Sequence, residues 1–315
     1  MPKLLPSIVF WGVALLTFTP WVSAPLALVL GALVVNGIGL PHYAQPAVWV
    51  KRLLALAIVG LGFGVQLEVA WQVTHSYFGI MVVSIGVTLL LALVGGRWLR
   101  VDGVTSHLIG SGTAICGGSA IAAVAPAMHA RNDQMALALA CIFTLNAIAL
   151  LVFPWLGHLL QLDQSTFGAW AAIAIHDTSS VVGAAQAYGD EALQTATTLK
   201  LARALWIIPL ALVTAWIYQW HHGVATTRKL TVPLFIVGYI LAMACAYIMP
   251  QFDSVYQTIF GAAKQLLVFC LYLVGASITW ARLRAAGWRP LVLALSLWVV
   301  IATFTLGWLL YAAKV

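Results

Sequence analysis

Two short motifs rich in glycine and hydroxyl residues interrupt an otherwise apolar chain, and their residue types suit the handling of a small ion. The first reads GSGTAICGGSAIAAVAP over 110–126 and the second IHDTSSVVGAA over 175–185. In the first, Gly110, Gly112, Gly117 and Gly118 permit backbone conformations closed to other residues, while Ser111, Thr113 and Ser119 add hydroxyls around Cys116. A half-helix starting near 117–119 presents free N–H groups and a positive dipole end to an anion. The competing reading is close packing of small residues between helices. In the second motif His176 and Asp177 stand side by side ahead of Thr178, Ser179 and Ser180. An ionisable residue inside a membrane is costly to bury and points to function. A histidine side chain ordinarily titrates near neutral pH, so His176 suits a coupling proton. Asp177 suits a coupling cation, an orienting role toward His176, or a helix N-cap.

A third polar feature, TLKLARALW, follows at 198–206. Its Lys200 and Arg203 are three apart and so share a helix face. Arg203 suits clamping of a planar or tetrahedral oxyanion, or neutralisation of Asp177. Lys200 is expected to act as a charge partner and to snorkel to the interface. Among weaker positions, Asn146 reads as a hydrogen bond across helices, and Glu68 and Lys264 read as surface residues. His221 and His222 read as loop residues.

The elements that must position these groups lie in a membrane. The chain has 315 residues, of which 63% are hydrophobic and 7% charged, against about 25% charged in soluble domains. Eleven hydrophobic segments are legible, at 4–21, 24–40, 52–69, 78–99, 105–128, 133–160, 166–188, 193–220, 232–249, 255–279 and 289–312. The expected architecture is all-α, a single transmembrane domain over 1–315, with inverted repeats and two broken helices or re-entrant hairpins. Met1-Pro2-Lys3, the apolar run and Val22-Ser23-Ala24 have the look of a signal peptide. Pro25 after the cut, with Pro20 and Trp21 before it, favours an uncleaved first helix.

Basic residues set the expected orientation. Lys3, Lys51, Arg52, Arg97, Arg100, Arg228, Lys229, Arg282, Arg284 and Arg289 fall on one side, which the positive-inside rule makes cytoplasmic together with the N-terminus. Trp21, Trp49, Trp71, Trp98, Trp155, Trp216, Trp220, Trp280 and Trp288 sit near segment ends, as an interface belt does. The net charge of +7 is scattered through short loops, a poor pattern for nucleic acid. Cys116, Cys141, Cys245 and Cys270 form no CxxC pair and have no histidine at a metal-like spacing, so no metal site is expected.

Three internal matches suggest duplication. Residues 25–41 resemble 233–250, residues 51–67 resemble 264–280, and 116–128 align with 176–188. If segments five and seven both span, they run in the same direction. If each is a hairpin, they enter from opposite sides. Glycines at 60–64 and at 275 in segments three and ten offer an alternative pair of interruptions.

GTAICGGSAIAAVAP, then AIHDTSSVVGAA and LKLARALWI, resemble the YeiH family of bacterial inner-membrane proteins, also labelled the sulfate exporter family. That resemblance implies a fold near the cation–proton antiporter and bile-acid-symporter type, with crossed broken helices and an elevator-like cycle. Family members often carry a Val-Ala-Gln run after the His-acid pair, where this chain has Thr178-Ser179-Ser180. Carried over residue by residue, the resemblance marks Cys116, Gly117, Ser119, His176, Asp177, Lys200 and Arg203.

Together these readings lead to a secondary active transporter of a small anion, sulfate or a related sulfur oxyanion, coupled to H⁺ or Na⁺, in the bacterial inner membrane. Thr113, Cys116, Gly117, Gly118, Ser119, Thr178, Ser179, Ser180 and Arg203 are its expected substrate site, with His176 and Asp177 for the coupling ion. No Walker motif, HExxH or GxSxG is present, so neither a primary pump nor an enzyme is expected, and no cofactor. The alternatives are a cation/proton antiporter using Asp177, an intramembrane enzyme using Cys116 or His176, and a channel. Partners are the lipid bilayer, the anion, the coupling ion and, by analogy with the fold, a second copy in a homodimer.

Overall fold

A computed structural model describes residues 4–19, 21–39, 41, 46–222, 234–277 and 288–312. All regular structure among them is helical. Each of the eleven expected segments contains helix, but three contain two helices each, so the helices outnumber the segments. The chain runs α1 (Leu4–Leu16), α2 (Ala24–Gly37), α3 (Pro46–Gly62), α4 (Leu67–Trp98), α5 (Gly103–Ala114), α6 (Gly118–Val124) and α7 (Asn132–Leu159). It continues as α8 (Gln164–Ala174), α9 (Thr178–Tyr188), α10 (Asp190–Ala204), α11 (Ile207–His222), α12 (Leu234–Ile248), α13 (Asp253–Gly275) and α14 (Trp288–Ala312). Two of the splits are the expected motif breaks. The third, at Leu205–Trp206, follows from Pro209, which has no N–H to give the Leu205 carbonyl.

The glycines of segments three and ten end helices and do not interrupt them: α3 stops at Gly62 and α13 at Gly275. His221 and His222 close α11, where a loop was expected. Among the described residues five spans are long and apolar enough to cross a membrane: 67–98, 132–159, 190–220, 250–275 and 288–311. Trp71, Trp98, Trp155, Trp216, Trp220 and Trp288 are each more than half exposed, as the interface belt requires. Lys3, Arg228, Lys229, Trp280, Arg282 and Arg284 lie outside the described residues.

The helices form two layers. One is a panel of α1, α2, α3, α12 and α13; the other is a core of α4–α11 and α14. Small residues let the panel helices approach closely, as lipid gives no hydrophobic drive to pull them together. A Cβ on Gly31 of α2 would lie 2.1 Å from the Tyr272 carbonyl oxygen, and one on Gly275 would lie 2.0 Å from that of Leu28. The buried Tyr272 hydroxyl donates to the Phe10 carbonyl at 2.8 Å and ties α13 to α1.

Within the core, α5–α6 and α8–α9 are hairpins built on α7. Asp102 caps α5 by accepting from the Thr105 N–H at 3.0 Å, and Asp163 caps α8 by accepting from the Thr166 N–H at 2.8 Å. Gly112 and Ile121 face each other across the first hairpin, since a Cβ at 112 would lie 3.1 Å from the Ile121 side chain. Its base rests on the start of α7, where Gln134 donates to Asp102 at 2.7 Å. The second hairpin closes where the Tyr188 hydroxyl donates to the Leu162 carbonyl at 2.5 Å and the Tyr188 ring stacks on Phe167 at 3.7 Å. That base lies against Gly157, near the far end of α7. Since α7 is ~42 Å long at 1.5 Å per residue, the two hairpins enter from opposite ends of it.

The panel contact gives a direct test. Gly275→Val drives a side chain into the α2 backbone, which cannot move aside as a flexible side chain would. It is expected to destabilise the protein by about 3 kcal/mol, the upper range for overpacking, read as a lowered thermal midpoint in detergent. Gly12→Val, with nothing within 4 Å of the added Cβ, is expected to leave the midpoint unchanged.

Candidate functional site

The tips of the two hairpins meet beside the middle of α7. A Cβ built on Gly117 would lie 3.3 Å from Ile142 of α7 and 3.5 Å from the Asp177 Cα. Gly117 itself has φ +62° and ψ −121°, a region glycine adopts freely and other residues do not. Thus the glycine of one motif makes room for the carboxylate-bearing turn of the other.

Hairpin two bends at 175–177. Ile175 and Asp177 are extended, so the backbone N–H groups of His176 and Asp177 lose their helical acceptors. Asn146, buried halfway along α7, supplies one: its Oδ1 accepts from the His176 N–H at 3.1 Å and the Asp177 N–H at 3.3 Å. Asp177 then caps α9, accepting from the Ser179 N–H at 3.1 Å and from the Ser179 hydroxyl. Thr178, Ser179 and Ser180 are buried in the first turn.

The carbonyls at the C-terminal end of α8 are equally stranded, and α10 supplies their donors. The Lys200 ammonium donates to the Ala172 carbonyl at 3.2 Å and the Ile175 carbonyl at 2.7 Å. Arg203 donates through Nη1 to the Ile173 carbonyl. Cations at a helix C-terminus are favourable because they face its negative dipole end. Lys200 is 0% exposed, so the expected snorkelling to the interface is overturned. At that depth the broken helix end offers it two carbonyls in place of water. Arg203 likewise serves α8; among the described residues the ion pairs are Arg131–Asp133 and Lys264–Asp190, neither involving Asp177.

At the tip of hairpin one the Cys116 thiol and Ser119 hydroxyl are 2.9 Å apart, and the hydroxyl donates to the Cys116 carbonyl at 3.1 Å. Cys116 is buried, whereas Ser119 is exposed, and Gly118 packs against Phe143 and Leu139. The structure therefore gathers Cys116, Gly117, His176 and Asp177 at one junction, with Lys200 and Arg203 bonded to the α8 end that leads into it. Ser119 and Gly118 lie toward its outer side.

Buried polar atoms nearly always have partners, yet several here have none. They are both ring nitrogens of His176, Nε and Nη2 of Arg203, Nδ2 of Asn146, and the hydroxyls of Thr113 and Thr197. His176 is 0% and Arg203 1% exposed. The free Nε and Nη2 of Arg203 form one edge of its guanidinium, the edge that takes an oxyanion side-on with two parallel hydrogen bonds. The unpartnered set is rich in donors. Sequence reading underrated Asn146 and missed Thr197. The available signal for Asn146 was its place in an apolar run, FTLNAIALL, but its two backbone partners are 30 and 31 residues away.

A family model described as Conserved hypothetical protein 698 matches residues 7–294. A UPF0324 membrane protein of Vibrio vulnificus is 55% identical over 296 residues, covering 94% of this chain and 95% of that one. Another from Shewanella oneidensis is 52% identical over 304 residues, covering 96% and 95%. A more divergent one from Bdellovibrio bacteriovorus is 44% identical over 298 residues, covering 93% and 91%. No solved structure matches the chain.

Asn146 carries the prediction from this geometry. Asn146→Leu strands two buried N–H groups at the hairpin tip, each costing about 1–3 kcal/mol. The variant is expected to lose at least about 2 kcal/mol of stability. Amide exchange is expected to rise at 175–178 while staying unchanged near the bases of the hairpins. Thermal unfolding and hydrogen exchange by mass spectrometry check both.

Proposed function

The chain belongs to the family described as Conserved hypothetical protein 698, the UPF0324 membrane proteins, and from that premise we propose that it is a secondary active transporter of a small anion. The observation that carries this reading is the meeting of two oppositely directed hairpins at buried, unpartnered donors. Broken backbone at membrane depth is tolerated where it is buried in protein or lines a cavity, and in transporters such breaks mark the binding site. The charge balance favours an anion. Lys200 and Arg203 are buried cations, while the one carboxylate at the junction, Asp177, is already engaged by Ser179. That engagement also counts against cation exchange on Asp177.

The paired architecture supports the same reading. Both hairpins start with an aspartate N-cap followed by threonine three residues later, and their tips coincide in the 60-residue alignment of 116–128 with 176–188. In the other two matches Gly62 corresponds to Gly275 and Gly31 to Tyr239. Gly62 packs on Tyr239 of α12, as Gly275 packs on α2. The order of parts differs, since α2 and α3 precede hairpin one whereas α12 and α13 follow hairpin two. The relation is thus between paired units. In this reading the core moves against the panel, and the N-terminus and basic loops are cytoplasmic in the bacterial inner membrane. The substrate class is a sulfur oxyanion such as sulfate, coupled to H⁺ or Na⁺, and the protein assembles as a homodimer.

Transport by purified protein in liposomes tests it. Under an imposed pH or Na⁺ gradient, wild type is expected to accumulate labelled sulfate, sulfite or a small sulfonate. Arg203→Lys, which keeps the charge but loses the side-on edge, is expected to lower the rate at least tenfold with the fold intact. Gradient-driven cation flux lost in Asp177→Asn, with no anion movement in wild type, would establish cation exchange instead.

A further inference from the structure

We infer that His176 is the group that takes up a proton together with the anion, so that the two bind as an obligate pair. This rests on the anion-transporter reading above. The His176 ring is fully enclosed, its two nitrogens have no partner, and its backbone is pinned by Asn146. Such a ring is held in place and left unused by the protein itself.

The surroundings determine when it ionises. The charged and titratable groups around the junction are Lys200 and Arg203 on α10, Asp177 next in the chain, and Cys116 on the facing tip. Lys200 and Arg203 are committed to the carbonyls of α8, and Asp177 to Ser179. With His176 neutral the junction carries one uncompensated positive charge. A proton on the imidazole makes that two in a fully buried volume, where like charges repel more strongly than in water. An arriving anion reverses the balance. It takes the free edge of Arg203, cancels the excess charge and accepts from the new imidazolium N–H. No covalent bond forms or breaks; one proton moves from the aqueous phase to an imidazole nitrogen and leaves again with the anion. By reciprocity, the proton must raise anion affinity by the same factor that the anion raises proton affinity. A divalent anion with one proton leaves the junction neutral, the state best suited to cross a bilayer.

The test uses the full-length protein in detergent with sulfate, sulfite and nitrate as probes. Affinity is read from thermal stabilisation between pH 5.5 and 8.5, and proton uptake from a pH-indicator dye in weakly buffered solution. Wild type is expected to bind sulfate about tenfold more tightly for each unit of falling pH above the imidazole's titration point, as one linked proton requires. Adding sulfate is expected to draw close to one proton per anion bound. His176→Gln is expected to bind sulfate with a flat pH profile and no proton uptake; His176→Asn replaces it if the glutamine variant fails to fold. The dye measurement on wild type needs no variant. Sulfate binding without proton uptake, or a pH slope retained in both variants, overturns the role of His176 while leaving the anion reading intact. Absence of stabilisation by all three anions at every pH removes the anion reading and this inference with it.

Discussion

The structure depends on what happens to backbone groups where a helix stops inside a membrane. A helix end leaves up to four N–H or C=O groups without intrahelical partners, and lipid supplies none. Here two hairpins bring four helix ends to mid-height of α7. Each end has a specific remedy. Lys200 and Arg203 serve the carbonyls of α8, Asn146 serves the bend after it, and Asp177 caps α9. In hairpin one the backbone closes on itself, with the Gly117 N–H donating to the Gly112 carbonyl at 2.8 Å. The polar residues in the centre of the molecule follow from this requirement before any substrate is considered.

What exceeds the requirement is informative. The α8 carbonyls use one nitrogen of the Arg203 guanidinium and leave two. The bend at 175–177 uses one end of Asn146 and leaves the other, and nothing uses the imidazole of His176. A purely structural cluster would be selected to satisfy such groups or to replace them with apolar ones, because an unpaired buried donor is penalised. Among the described residues most of these atoms belong to the two hairpins, α7 and α10, while Trp298 Nε1 and Thr305 Oγ1 are unpartnered on α14.

The α10 helix links this junction to the rest of the molecule. Eleven of its residues are buried, among them Thr195, Thr197 and Thr198 as well as the two cations. On the side facing the panel, Gln194 donates to the Gly64 carbonyl at 3.1 Å and Thr198 meets the Tyr239 hydroxyl at 3.1 Å. Lys264 of α13 pairs with Asp190 at 2.6 Å, and Gln186 donates to the Lys264 carbonyl at 3.2 Å. These four polar contacts between the layers all fall on α9 and α10. Apolar packing joins the layers as well: α2 touches α7 and α9, α12 touches α4, and one buried apolar cluster runs from Ile58 and Leu61 of α3 to Met81 and Ile85 of α4.

The amino-acid sequence by itself determined the membrane setting, the eleven apolar stretches, both motif breaks and the presence of ionisable His176, Asp177 and Arg203 within apolar stretches. Those features are local: apolar runs of bilayer length, glycines clustered in a run of ten residues, and ionisable side chains where burial is costly. Only the tertiary structure decided that the breaks are hairpins and that they enter from opposite ends of α7. It also decided that Lys200 points inward, and that Asn146 holds the tip of hairpin two. A composition-based reading placed Lys200 at the interface because a flexible ammonium ordinarily reaches water. It reached instead the end of α8, 25 residues earlier in the chain. Partners of a stranded carbonyl or N–H come from whichever helix packs beside it, and periodicity along one segment carries no record of its neighbours.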